Sequence, residues 1–148
     1  MNRNTVLCTA LAAAMAFASC QKAEKTSIEF SELPSQAQTF VQTHFDDKQI
    51  AAVYRDNDIS DKDFEVIFTD GANIDFTKRG DWEEVEDRDA DGVPEDIIPA
   101  PIRHFVSDRH PGQYVVQIGK EGNKYDVELN TDIEIVFDKN GNFVSYDD

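Results

Sequence analysis

The chain has 148 residues, 30 of them acidic and 14 basic, for a formal charge of −16. A polyanion needs a Lys/Arg footprint, so this charge excludes DNA and RNA as partners, and it equally excludes a basic helix lying on a membrane surface. Hydrophobic residues at 40%, including 10 Phe, still allow a buried core of about one domain.

Residues 1–19 read as a signal peptide. Arg3 supplies a thin positive start, Val6 to Phe17 is apolar except for Thr9, and Phe17-Ala18-Ser19-Cys20 ends the run with small residues before a cysteine. The apolar run is too short to cross about 30 Å of hydrocarbon. Its ending resembles a bacterial lipobox, which implies diacylation of Cys20 as the first mature residue. Cys8 would leave with the signal, so no internal disulfide is available. Residues 20–30 then form a lipidated cysteine and a polar tether. The expected address is the bacterial cell envelope, on the periplasmic face or the cell surface, with the membrane touched only through the anchor.

The first predicted helix opens at Leu33-Pro34 and carries Ala37, Phe40, Val41, His44 and Phe45 on one stripe. A strand over Ile50 to Arg55 follows, then Asp56, Asp58, Asp61 and Asp63, read as a solvated hairpin loop. Phe64, Val66 and Phe68 alternate with polar positions before Asp70-Gly71; Ile74 and Phe76 do so before Arg79-Gly80, and Trp82 to Val85 closes the set.

Asp87-Arg88-Asp89-Ala90-Asp91-Gly92 comes next. Carboxylates at alternate positions before a glycine match positions 1, 3, 5 and 6 of a calcium loop, with Glu95 at position 9. Asp87, Asp89, Asp91 and Glu95 are therefore candidate Ca2+ ligands. Ile98 stands where an EF-hand needs a bidentate Glu, and a solvated acidic linker is the competing reading.

A second helix carries Ile98, Ile102, Phe105 and Val106, is disturbed at its start by Pro99 and Pro101, and stops at His110-Pro111-Gly112. Strands follow over Tyr114 to Ile118, at Tyr125, Val127 and Leu129, at Ile133, Ile135 and Phe137, and, after Asn140-Gly141, over Phe143 to Tyr146.

The chain thus reads as one unit written twice, residues 31–87 and 88–148. Leu33-Pro34 and His44-Phe45 recur as Val93-Pro94 and His104-Phe105 at an offset of 60. Phe64, Phe76, Gly80 and Trp82 recur as Tyr125, Phe137, Gly141 and Phe143 at an offset of 61, so one inserted loop residue is expected. The predicted class is α+β: two tandem repeats, each one helix packed on a four-stranded antiparallel sheet, the two sheets either separate or joined in one curved sheet. On this alignment His44 and His104 share a packing role, and His110 is a helix stop.

The helix openers Leu33-Pro34 and Val93-Pro94, with the hairpin Ile135-Val136-Phe137-Asp138-Lys139-Asn140-Gly141-Asn142-Phe143, resemble the PepSY-like domain family. Ile74 to Trp82 is a weaker version of the same hairpin. Members are small secreted bacterial proteins, also described as similar to the β-lactamase inhibitor protein. The resemblance covers Phe30 to Asp148. It implies helix-plus-sheet units with an open face for another protein, and it carries over no functional residue.

Catalysis has no motif to stand on. Gly-x-Ser-x-Gly, His-Glu-x-x-His, a phosphate-cradling glycine loop and a mature nucleophilic cysteine are all missing, and the chain is read as no enzyme. If the apolar strand positions face the helices, Glu65, Asp75, Asp126, Glu128 and Glu134 face outward as an acidic plate, with Trp82 and Tyr146 near its rim. The leading expectation is an exported, lipid-anchored binding module, an inhibitor in one form, that contacts a basic protein or peptide through this plate. The alternatives are an ordinary solvated sheet face and a calcium-stabilised structural lipoprotein. Neither the partner nor the oligomeric state follows from the sequence.

Overall fold

The computed structural model describes residues 25–57 and 63–147. The expected signal peptide, Cys20 and most of the expected tether lie outside the described residues, as do Asp58 and Asp61.

Strand β1 (Thr26–Ser27) leads through a 3₁₀ turn (Phe30–Glu32) into helix α1 (Ser35–His44). Four strands follow: β2 (Ile50–Arg55), β3 (Phe64–Phe68), β4 (Asn73–Phe76) and β5 (Trp82–Glu86). Helix α2 (Ala100–Arg109) then precedes β6 (Val115–Glu121), β7 (Lys124–Leu129), β8 (Glu134–Asp138) and β9 (Phe143–Asp147). Among the described residues the strands pair in sequence order, each antiparallel to its neighbour, in one nine-stranded sheet.

Both helices pack on the same face. Cross-strand register aligns Val53, Val66, Ile74, Val85, Ile118, Val127 and Ile135 in one row, and every member is buried. Ala37 and Val41 of α1, with Phe45 just after it, and Ile102 and Val106 of α2 bury against that side as part of one core. Each such aliphatic side chain removed from water contributes about 1.5–3 kcal/mol. The packing is the same in both halves: Phe40 meets Phe76 edge-on at 5.7 Å, and Phe105 meets Phe137 edge-on at 5.3 Å.

Sequence explains how the helices start. Pro34 and Pro99 precede them with extended ψ of 141° and 137°, where a missing N–H costs nothing. The β4–β5 turn then presses on the start of α1. Gly80 has φ +91°, and a Cβ there would lie 2.9 Å from both Ala37 N and Pro34 Cβ. Only glycine fits both the backbone and the space. Gly141 repeats the arrangement under α2, 3.1 Å from Pro101 Cβ.

The predicted architecture needs correction. Two four-stranded sheets do not form: β5 pairs with β6 through Glu84↔Gly119, Val85↔Ile118 and Glu86↔Gln117, which merges the halves. Residues expected to form a tether also supply an unforeseen ninth strand, with Thr26↔Arg55 and Ser27↔Tyr54. Period-two alternation says which face a residue takes but not which edges meet. Two separate sheets would have left the β5 and β6 edges with unpaired N–H and C=O groups.

The alignment of the halves changes as well. Pro34, Ala37, Phe40 and Val41 correspond in structure to Pro99, Ile102, Phe105 and Val106, an offset of 65 rather than 60. β2 and β6 share the helix offset of 65, and the later strands keep the offset of 61, because eight residues separate Arg55 from its partner Phe64, whereas four separate the equivalent pair Lys120 and Tyr125. His44 therefore corresponds to Arg109, and His104 sits mid-helix and exposed, so the two histidines share no packing role.

Candidate functional site

The face of the sheet away from the helices carries two cross-strand rows. One runs Tyr54, Glu65, Asp75, Glu84, Gly119, Asp126, Val136, Ser145. The next runs Ile67, Asn73, Glu86, Gln117, Glu128, Glu134, Asp147. All five residues nominated for the acidic plate, Glu65, Asp75, Asp126, Glu128 and Glu134, lie in these rows. Trp82 and Tyr146 do not reach it. They lie on the helix side, Trp82 against Phe40 and under the Lys120 ammonium at 3.5 Å, Tyr146 against His110.

Between β5 and β9 the open face forms a groove of about 430 Å³. Glu83, Glu84, Glu121, Asp126, Glu128, Glu134 and Asp147 line it, over a floor that includes Gly119 and the buried Val136. Its one basic lining residue, Lys120, has its ammonium on the Trp82 ring and donating to the Trp82 carbonyl at 3.0 Å. Burial holds that ammonium below its ordinary value. Burial, with Glu121 next, pushes the Asp126 carboxyl up. Glu128 faces Glu134, which faces Asp147, and like charges placed directly opposite across strands oppose pairing.

Arg88 relieves part of this strain. Its guanidinium grips Glu128 with two parallel bonds, 2.9 and 2.7 Å, and also donates to Glu86. Those bonds, to Glu128 first and Glu86 second, hold Arg88 above its usual value. Further along the face, Lys25 pairs with Glu65 at 2.6 Å.

The calcium-loop candidates are divided. Asp87 is buried to 3% exposure and accepts from the Asp89 N–H at 3.2 Å. Its Oδ2 and that of Asp89 then converge, at 3.0 and 3.1 Å, on the ammonium of Lys48, which Asp70 also contacts. Burial opposes the charge on Lys48, but hydrogen bonds from it to Asp70, Asp87 and Asp89 outweigh that and raise its value. The bond from Lys48 correspondingly lowers Asp70. Gly92 lets the loop close: a Cβ there would strike the Val115 carbonyl and the Tyr114 ring, and the adjacent Val93 N–H donates to that carbonyl at 2.9 Å. Glu95 is exposed and lies 4.0 Å from Arg103. No group of three or more His, Cys, Asp or Glu among the described residues is arranged to hold a metal ion.

Lys48 and Arg88 were invisible as site residues. Lys48 is one lysine in the turn after α1, with no spacing that ties it to Asp87. Arg88 sits inside the acidic motif as an apparent spacer. Glu84 could have been found, since it alternates with Val85 on a predicted strand. Glu121 and Asp147 lie beyond the predicted ends of their strands.

A family model described as "putative beta-lactamase-inhibitor-like, PepSY-like" matches residues 62–145. The chain belongs to the PepSY-like family. A Bacteroides thetaiotaomicron protein described as a "putative calcium-regulated periplasmic protein" is 35% identical to this PepSY-like chain, with a TM-score of 0.79, over 84% of this chain and 97% of its own. A Bacteroides vulgatus periplasmic protein of the DUF2874 family is 34% identical, with a TM-score of 0.79, over 84% and 98%. Another protein of that organism, of unknown function, shares the fold at 24% identity and a TM-score of 0.77, over 84% and 100%. No curated protein matches.

Proposed function

We propose that this PepSY-like chain is an exported, non-catalytic binding module that takes a basic protein or peptide segment on the acidic face of its sheet. Cys20 serves as its lipid anchor, and the periplasmic descriptions of its relatives support a place in the bacterial envelope. One observation carries the reading: seven carboxylates line one groove whose one basic lining residue, Lys120, is committed to Trp82, while Arg88 engages Glu128. Such a field steers a cationic partner, and binding through it weakens as salt screens the charges. Where the partner is an enzyme, covering it with this face would inhibit it, in keeping with the family description.

The test is capture from the native host's envelope extract on immobilised protein, comparing the wild type with Glu128→Gln/Glu134→Gln. A stoichiometric band held at low salt, released at high salt and absent from the double variant supports the reading. A band retained equally by both proteins overturns it.

A second reading, calcium stabilisation, draws on the calcium-regulated description of the Bacteroides thetaiotaomicron relative and on the convergence of Asp87 and Asp89. It predicts a melting temperature that rises with millimolar Ca2+ and returns with chelator. An unchanged melt, with no heat in calorimetry at low salt, removes it.

A further inference from the structure

The two edges of the sheet are built differently. β1 is two residues long, polar, and next to Lys25, a short charged edge of the kind that resists pairing. β9 is five residues long and exposed along its whole length, with β8 as its one neighbour in the sheet among the described residues. Phe143, Val144 and Tyr146, exposed at 42%, 50% and 48%, are the exposed large hydrophobic residues among those described, and all three lie on this strand.

The aromatic rings are held in place. Phe143 stacks on Phe105 at 4.9 Å, and the Tyr146 hydroxyl lies 3.0 Å from His110 Nε2. On the opposite face the same strand contributes Asp147 to the acidic groove, beside Glu134 and Val136. An open strand edge presents a row of N–H and C=O groups ready to pair with another chain.

We propose that β9 receives an extended segment of a partner as a tenth strand. Its side chains would alternate, basic ones toward Glu134 and Asp147, apolar ones toward Phe143 and Tyr146. The reading rests on the acidic-face proposal and specifies its partner: a cationic, alternating strand. Charge complementarity selects it over a second copy of this chain, which would bring the same acidic rows alongside at a net charge of −16 per chain.

The test uses two terminally capped peptides of identical composition, one alternating Lys and Val, the other with the same residues in two blocks. Binding is measured by fluorescence anisotropy, and amide hydrogen exchange is followed along β9. The alternating peptide is expected to bind about tenfold more tightly than the block peptide and to slow exchange in β9. Tyr146→Lys should weaken the alternating peptide selectively, whereas Glu134→Gln should weaken both. Equal binding of the two peptides with β9 unprotected overturns the added strand and leaves the acidic-face reading standing. No binding of either at low salt overturns both. Sedimentation showing the protein alone as a dimer with β9 protected makes a second copy the occupant and overturns the proposal.

Discussion

The molecule concentrates carboxylates in two regions and treats them in opposite ways. At the turn after α1, Asp70, Asp87 and Asp89 gather around Lys48, so one ammonium offsets part of their charge within the fold. On the open face, Asp126, Glu134 and Asp147 line a groove where Arg88 engages Glu128 and Glu86. The first cluster locks the linker between the halves onto the turn below it. The second keeps like charges across paired strands, at a cost of about 0.2–1 kcal/mol for each opposed pair. A folded chain retains such a cost where the surface serves something other than stability.

Removing Lys48 should break the comparison most. Lys48→Met leaves Asp87 buried beside two other carboxylates, and stripping one partner from a buried pair costs about 3 kcal/mol. Chemical denaturation should show that loss, and Lys48→Met/Asp87→Asn should recover part of it. The pH profile carries the sign. The low folded value of Asp70 gives stability present above its ordinary 3.8 and lost as pH falls through the lower folded value. The raised folded value of Lys48 gives stability present below 10.5 and lost as pH rises through the folded value. The gap between wild type and Lys48→Met should therefore be widest between those limits and close at both ends.

Arg88→Gln sharpens the comparison from the other side. It removes a two-bond grip that is half exposed, so the expected loss is about 1 kcal/mol, with stability more dependent on added salt than in the wild type. Thermal melts at low and high salt check both. Asp126→Asn should have the smallest effect and the opposite direction. Its carboxyl is raised in the fold, so the charged form destabilises at neutral pH, and the variant should gain a few tenths of a kcal/mol there. That gain should fade as pH drops through the raised folded value toward 3.8, since both proteins are then neutral at this site.

Faces and turns were legible in the residues. Alternation at Phe64, Val66 and Phe68, and at Tyr125, Val127 and Leu129, identified the helix-facing side, and the five nominated acids lie on the other. A strand needs only its own residues to state its two faces. The groove was not legible. Gly119 and Val136 form its floor only because β5 pairs with β6, and the sequence holds no record of which strand edges meet. The helix alignment misled for a related reason: His104-Phe105 imitates His44-Phe45 in letters, whereas the structure pairs Phe105 with Phe40 by their contacts to Phe137 and Phe76.

By itself, then, the sequence determined the acidic charge, the alternating strands, the hairpin turns and the proline start of α1, because each is a local property of neighbouring residues; the second opener, read at Val93-Pro94, lies at Pro99 instead. The tertiary structure decided that nine strands make one sheet, that Lys48 closes the aspartates of the linker, and that β9 stands open at the edge of the acidic groove. Each of these depends on groups far apart in the chain meeting in space, and pairing energies between such groups are set only once the whole sheet has formed.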